Sequence, residues 1–196
     1  MQTIRTFIAV ELPSSIQEQL DNLTFRLKGT GNMPVRWTPA KNIHLTLQFL
    51  GDTPDSKIAQ LSQLLMDVAA SFHSFTISLN GIGAFPNKNR PRIIWIGVQA
   101  PPELYALQKM IEENSKSMGF ETEDRRFSPH LTLGRVVKET SSQQISVLSS
   151  LLTNIHIEDL GTMNVESISL IKSDLNPSGA VYKNLFNARL INENIP

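Results

Sequence analysis

Apolar positions recur with a period of two in some stretches of this chain and near 3.6 in others, and the two kinds of stretch alternate. Residues 4–10 are strand-rich and half alternating, and Pro13 ends them. Ser15 followed by Glu18 has the form of a capping box, and Ile16, Leu20, Leu23 and Leu27 then fall at helical spacing up to a cap at Gly29. Residues 43–50 alternate as a strand, and Thr53-Pro54 predicts the start of a second helix with Ile58, Leu61, Leu65 and Val68 along one face. Phe75, Ile77 and Leu79 alternate again, ahead of a turn-rich stretch over 81–91. Residues 93–98 are a nearly continuous apolar run, as a buried strand would be. Residues 103–118 carry Leu104, Leu107 and Ile111 as a third helix closed by Gly119. A strand over 130–137 precedes a fourth helix marked by Ile145, Leu148 and Leu152. Two last strands, near 165–171 and 181–190, flank Asn176-Pro177-Ser178-Gly179, which is turn chemistry.

Strands that alternate with helices raise the question of a nucleotide fold, and the glycines answer it. Gly81-Ile82-Gly83 lacks a third glycine, and no Gly-x-x-x-x-Gly-Lys occurs. The expected class is therefore α+β, with sheets covered by helices on one face only. The length of 196 residues fits one domain or two small lobes. Eighteen Lys+Arg balance eighteen Asp+Glu, so any nucleic-acid contact must come from a local patch. The chain has no cysteine, which removes disulfides, thiolate nucleophiles and cysteine-bearing zinc sites together. The first residues hold an apolar core too short for a signal sequence, and nothing approaches the ~18 apolar residues of a membrane span. The expectation is a cytoplasmic protein with no membrane contact.

One short pattern occurs twice: His44-Leu45-Thr46-Leu47 and His130-Leu131-Thr132-Leu133, 86 residues apart. Random placement would give about 0.03 copies of His-x-Thr-Leu, so two copies are a designed pair. In a strand, residues i and i+2 share a face, so each His projects beside its Thr while the leucines turn to the other face. Two such strands across a cleft would offer two imidazoles and two hydroxyls. That set suits in-line phosphoryl chemistry, with a base on one side, an acid on the other and donors for the equatorial oxygens. His73 and His156 have no Thr partner and are read as surface or core residues.

These residues give the chain its resemblance to the 2H phosphoesterase superfamily, and within it to the LigT-like RNA 2′,3′-cyclic phosphodiesterases formerly described as 2′-5′ RNA ligases. The resemblance runs through Arg5-Thr6-Phe7-Ile8-Ala9-Val10, Val35-Arg36-Trp37, the stretch from Asn42 to Gly51, residues 81–95, and Arg125-Arg126-Phe127-Ser128-Pro129-His130 on to Arg135. It implies a single bilobal domain over 1–196, two pseudo-symmetric lobes each with an antiparallel sheet and outer helices, and a central cleft between the sheets. It further implies His44 as proton donor, His130 as the base that activates water, and Thr46, Thr132 and Arg135 on the phosphate. The near-identical motifs do not by themselves order the two histidines.

Arg135 is the one site residue at odds with the pattern. Strict alternation puts it with Leu131 and Leu133, away from His130, unless Gly134 permits a bulge or a strand end that re-aims it. Arg125, Arg126, Lys88, Arg90 and Arg92 are candidates for an RNA backbone, and Phe7 and Trp37 for stacking, with core packing the expected job of Phe7. The implied reaction is metal-independent and cofactor-free opening of an RNA-terminal 2′,3′-cyclic phosphate to a 2′-phosphomonoester. Substrates would be RNA ends, tRNA fragments among them, or small cyclic nucleotides, acted on by a monomer. An RNA-end-binding module and a 2′-5′ RNA ligase using the same cleft are the alternatives. A metal hydrolase lacks His-Glu-x-x-His, and a serine hydrolase lacks Gly-x-Ser-x-Gly. Imidazoles near their ordinary ~6.5 would give a bell-shaped rate profile centred around neutrality.

Overall fold

The computed structural model describes residues 2–31, 33–122, 125–157, 159–176 and 179–192. Its strands are β1 (Thr3–Glu11), β2 (Val35–Trp37), β3 (His44–Pro54), β4 (Phe75–Phe85), β5 (Ile93–Gln99), β6 (His130–Val136), β7 (Thr162–Val165), β8 (Ser167–Asn176) and β9 (Gly179–Arg189). The helices are α1 (Ser14–Gly29), α2 (Ile58–Ala69), α3 (Pro102–Ser117) and α4 (Ser142–Asn154). The strands form one sheet in the order β7-β4-β5-β6-β3-β1-β8-β9, with β2 added alongside β6. All the strand pairings in it are antiparallel. The two halves meet at one pairing, Leu45 against Leu131, so each His-x-Thr strand sits at the inner edge of its own half.

Amphipathic strands explain why helices cover one face alone. In β1 the even residues Ile8 and Val10 join the main core with Leu20, Leu27, Leu61, Leu65, Leu104 and Leu107 of the helices. The odd residues Phe7 and Ala9 turn the other way and pack with Ile171 and Tyr182 in a small separate cluster. Leu45, Leu47, Leu131 and Leu133 lie in the helix-covered core, as the alternation predicts. At ~25 cal/mol per Å² of apolar surface, each buried leucine contributes roughly 1.5–3 kcal/mol to holding its strand against the helices. No helix among the described residues is long and apolar enough to cross a membrane.

Several local expectations fail for identifiable reasons. The Ser15–Glu18 capping box does not form: α1 starts from Pro13, with no side-chain cap. A capping box is built instead at α4, between Ser141 and Gln144. Thr53-Pro54 does not open α2, because β3 runs on to Pro54 in register with Thr3, and a 3-10 turn, Asp55–Lys57, precedes the helix. Part of the turn-rich stretch is strand: β4 reaches Phe85 by passing a bulge at Gly81, whose φ of 67° is open to glycine and strained for other residues. The single strand read near 165–171 is two, β7 pairing β4 and β8 pairing β1. The short strand β2 had no periodic signal. Of the Asn176–Gly179 turn, Pro177 and Ser178 lie outside the described residues.

Candidate active site

The joint between the halves fixes the geometry of the motif pair. With Leu45 opposite Leu131 in antiparallel register, one step either way sets His44 against Thr132 and Thr46 against His130. All four turn to the face opposite the leucines, which the helices leave uncovered. Strand spacings put the two His Cα positions roughly 8 Å apart across this joint, a span that two imidazoles converging on one phosphate can close.

The imidazoles are held alike at one end. Nδ1 of His44 lies 3.0 Å from the Asn42 carbonyl and Nδ1 of His130 lies 2.7 Å from the Ser128 carbonyl. A carbonyl can only accept, so each Nδ1 carries the proton and donates, and each Nε2 is left for chemistry. Their surroundings differ. His44 stacks on Phe7 at 4.5 Å between ring centroids and meets Tyr182 edge-on at 5.2 Å. Burial between these rings lowers its pKa to about 4, against the Asn42 hydrogen bond and the Glu11 charge, which raise it. The free protein therefore departs from the expectation that both histidines titrate near ~6.5. His130 packs edge-on to Phe85 at 4.9 Å and near Trp95 at 6.3 Å.

Arg135 reaches the same side after all. The β5–β6 register slips between Ile94 and Trp95, so that Trp95 pairs Thr132, Ile94 pairs Gly134 and Leu133 is the extra residue. This bulge inverts the alternation beyond it: Gly134 faces the core with Ile94, and Arg135 faces the cleft with Ile93. Gly134 is needed there, because a Cβ would sit 2.8 Å from Val35 and 3.0 Å from the Arg36 carbonyl. Arg135 lines a cleft of about 830 Å³ together with His44, Arg36, Trp37, Lys41 and Tyr182, whereas Thr46, His130 and Thr132 are not among its lining residues. Burial raises the Tyr182 hydroxyl above its ordinary value, opposed by the charges of Arg135 and Arg5.

Of the basic residues considered from the sequence, Lys88, Arg90, Arg92, Arg125 and Arg126 do not line this cleft. Arg36 and Lys41 do, and neither was singled out as a cation, because β2 and the 3-10 turn Ala40–Asn42 bring them in through long-range pairing with β6 and β9. Phe7, 3% exposed, is a bed for His44 and has no free face for a base. Trp37 does line the cleft. Glu11, Tyr182 and Asn184 were missed altogether; no local spacing marks them. Among the described residues, no three His, Asp or Glu side chains gather as a metal site would require.

The LigT like Phosphoesterase family model matches the chain twice, over residues 10–95 and 96–182, one motif in each. An Archaeoglobus fulgidus RNA 2′,3′-cyclic phosphodiesterase is 35% identical over 182 residues, 93% of this chain and 98% of its own. One from Methanothermobacter thermautotrophicus is 32% identical over 93% of this chain and 96% of its own. Among solved structures, TT0787 of Thermus thermophilus superposes with a TM-score of 0.80 at 25% identity, covering 97% of this chain and all of that one. Escherichia coli LigT complexed with 3′-AMP superposes at 0.76 and 28% identity, over 96% of this chain and 99% of that one.

Proposed function

Because this chain belongs to the LigT-like phosphoesterase family, we propose that it hydrolyses the 2′,3′-cyclic phosphate at an RNA end, and that His44, His130, Thr46, Thr132 and Arg135 carry the reaction. The observation that carries this reading is the matched tether of the two imidazoles, Nδ1 to the carbonyl two residues back, on facing strands. Two tethered rings with free Nε2 atoms are more than binding needs; they are a proton acceptor and a proton donor.

In this mechanism Nε2 of His130 takes a proton from water, which attacks phosphorus in line with the 3′ oxygen. The P–O3′ bond breaks, and His44 gives the departing oxygen its proton, so the product is a 2′-phosphomonoester. Thr46 and Thr132 donate to the non-bridging oxygens, and the Arg135 guanidinium meets the charge that grows on them. With its pKa lowered to about 4, His44 is neutral near pH 7. The phosphodiester anion brings a negative charge beside the ring and favours its protonated form, so substrate itself arms the acid. No step needs a metal. Both motifs come from one chain, which supports a monomer as the working unit. Short RNAs ending in the cyclic phosphate, tRNA fragments included, and small cyclic nucleotides are the substrates this cleft would take.

The test is incubation with an oligonucleotide ending in a 2′,3′-cyclic phosphate, in EDTA, with identification of the product isomer. The expected product is the 2′-phosphomonoester at an undiminished rate. Loss of activity in EDTA with recovery on adding zinc or manganese overturns the metal-free mechanism. An intact oligonucleotide retained by the protein would favour a binding module.

A further inference from the structure

The residues directly across the sheet from the two histidines are not alike. β1 pairs Glu11 with His44, while β5 pairs Gly97 with His130. Gly97 has no room to become anything else, because a Cβ there would meet the Asn80 carbonyl at 2.7 Å. Glu11, by contrast, is built in. One of its oxygens, Oε2, accepts from Ser169 Oγ at 2.7 Å and from Asn184 Nδ2 at 2.6 Å. Asn184 and Asn187 also donate to Ser169 Oγ, at 3.1 and 2.9 Å, which commits the serine's own proton to the carboxylate. All of these partners are neutral, and no Lys or Arg pairs with Glu11 among the described residues.

A carboxylate in this cleft needs an explanation. The surrounding charges, Arg36, Lys41 and Arg135, suit an anionic ligand, and Glu11 repels one. Neutral donors fix its position and leave its charge undiminished, which a structural anchor would not require. Side chains directly opposed in an antiparallel pair have Cβ atoms ~4.5–5.5 Å apart, and Glu11 is the carboxylate so placed against His44.

We propose that Glu11 is a positioning residue that favours the charged form of His44, and that the Glu11/Gly97 difference makes His44 the acid of the pair and His130 the base. The charged and titratable groups that line the cleft with His44 are Glu11 from β1, Tyr182 from β9, Arg135 from β6, Arg36 from β2 and Lys41 from the 3-10 turn, with Phe7 beneath the ring. Glu11 is the one anion among them, and it works against the desolvation that Phe7 and Tyr182 impose. With a phosphodiester bound, the imidazole lies between two negative charges and Arg135 is engaged by the ligand. The division into acid and base rests on the hydrolytic reading; the electrostatic link between Glu11 and His44 does not.

The experiment separates these two. The His44 ring of the full chain is titrated by NMR in wild type, Glu11→Gln and Glu11→Asp, each with and without sulfate as the anion. Glu11→Gln should move the His44 midpoint down by about half a unit to one unit, and Glu11→Asp should restore most of it. Should Glu11→Gln not fold, Glu11→Thr, a strand-forming neutral residue, repeats the comparison. A His44 midpoint that stays put overturns the link, whether or not the protein turns over RNA. On the cyclic-phosphate oligonucleotide, Glu11→Gln should lower kcat at neutral pH by about 3–10-fold, with KM unchanged or reduced. An acid must be protonated, so the falling alkaline limb of kcat should shift to lower pH. Equal loss at every pH, with both limbs unmoved, overturns the assignment of His44 as acid. Failure of the hydrolytic reading is visible elsewhere, as a wild-type protein that leaves the cyclic-phosphate oligonucleotide intact.

Discussion

The two halves of the sheet repeat one backbone path and dress it differently. In each, a bulge follows the motif threonine by one residue: Leu47 is the extra residue between Thr46 and Gln48, and Leu133 between Thr132 and Gly134. Residues at matching steps can therefore be compared. Ala9 lies across from Thr46 and Trp95 from Thr132; Phe49 and Arg135 follow the two bulges; Glu11 and Gly97 oppose the histidines. One half stacks its imidazole on Phe7, and the other walls it with Phe85 and Trp95. In the proposed mechanism, duplicated geometry gives the two imidazoles equal reach to one phosphate, and unequal neighbours let them do opposite jobs.

The strongest way to break the comparison is to remove each ring. His44→Ala and His130→Ala should each lower turnover by ~10²–10⁴-fold, since each deletes one proton transfer. The double variant should be little worse than the slower single one, because the pair acts as a unit. Turnover of either single variant above about a tenth of wild type would contradict the assigned roles. The loss should fall on kcat, since the proposed phosphate ligands Thr46, Thr132 and Arg135 remain in place.

Next in size is the pair that follows the bulges. Arg135→Ala should cost ~10–100-fold in kcat/KM, the worth of a charge-assisted hydrogen bond of ~1.5–3 kcal/mol. Arg135→Lys should recover only part, because an ammonium lacks the planar fork. Phe49, 52% exposed at the matching step, should tolerate Ala with less than about a threefold change. If the two alanine variants were equally impaired, the halves would share phosphate binding and the asymmetry between them would be lost.

The same bulges mark the limit of what the sequence discloses. His44, Thr46, His130 and Thr132 were legible because they precede any bulge, where the period of two holds. Arg135 was legible only as a conflict with that period, since an inserted residue reverses every face beyond it. Gln48 shows the reverse slip: it turns into the helix-covered side and accepts from Ser115 Oγ of α3 at 2.8 Å. Glu11, Arg36, Lys41 and Tyr182 carry no local signal, because what makes them part of the cleft is pairing with strands far away in the chain. Helix positions were found from their apolar period, whereas their starts depended on competition with strands, as at Thr53-Pro54.

A third test concerns how the His130 side is propped. The Trp95 ring lies flat on Gly83, so closely that an added Cβ would come within 2.1 Å of it. Gly83→Ala should expel the indole, cost about 1–3 kcal/mol as overpacking does, and slow turnover by loosening the wall beside His130. The matching residue in the other half is Ser169, across from Ala9, where Ser169→Ala adds no volume but removes a donor to Glu11. Urea unfolding and kcat for both variants sharpen the comparison. A Gly83→Ala protein as stable as wild type would mean that the indole is not held there.

The smallest effect is the acid sensitivity contributed by His44. Its folded-state pKa, about 4, lies below the 6.5 of the unfolded chain, so the unfolded state binds the proton first. Above pH 6.5 both states are neutral and the group contributes nothing to the slope. As pH falls from 6.5 towards 4, protonation of the unfolded chain drains stability; below 4 both states are charged and the loss is complete. Allowing for the ring's partial exposure to solvent, the loss between pH 7 and pH 5 should be about 1 kcal/mol. His44→Gln removes the titration while keeping a polar side chain over Phe7. The difference in unfolding free energy between wild type and His44→Gln should therefore shrink or change sign between pH 7 and pH 5, in favour of the variant. Parallel stability curves for the two proteins across that range would show that the Phe7–Tyr182 box does not desolvate His44, and the electrostatic contrast between the two halves would then rest on Glu11 alone.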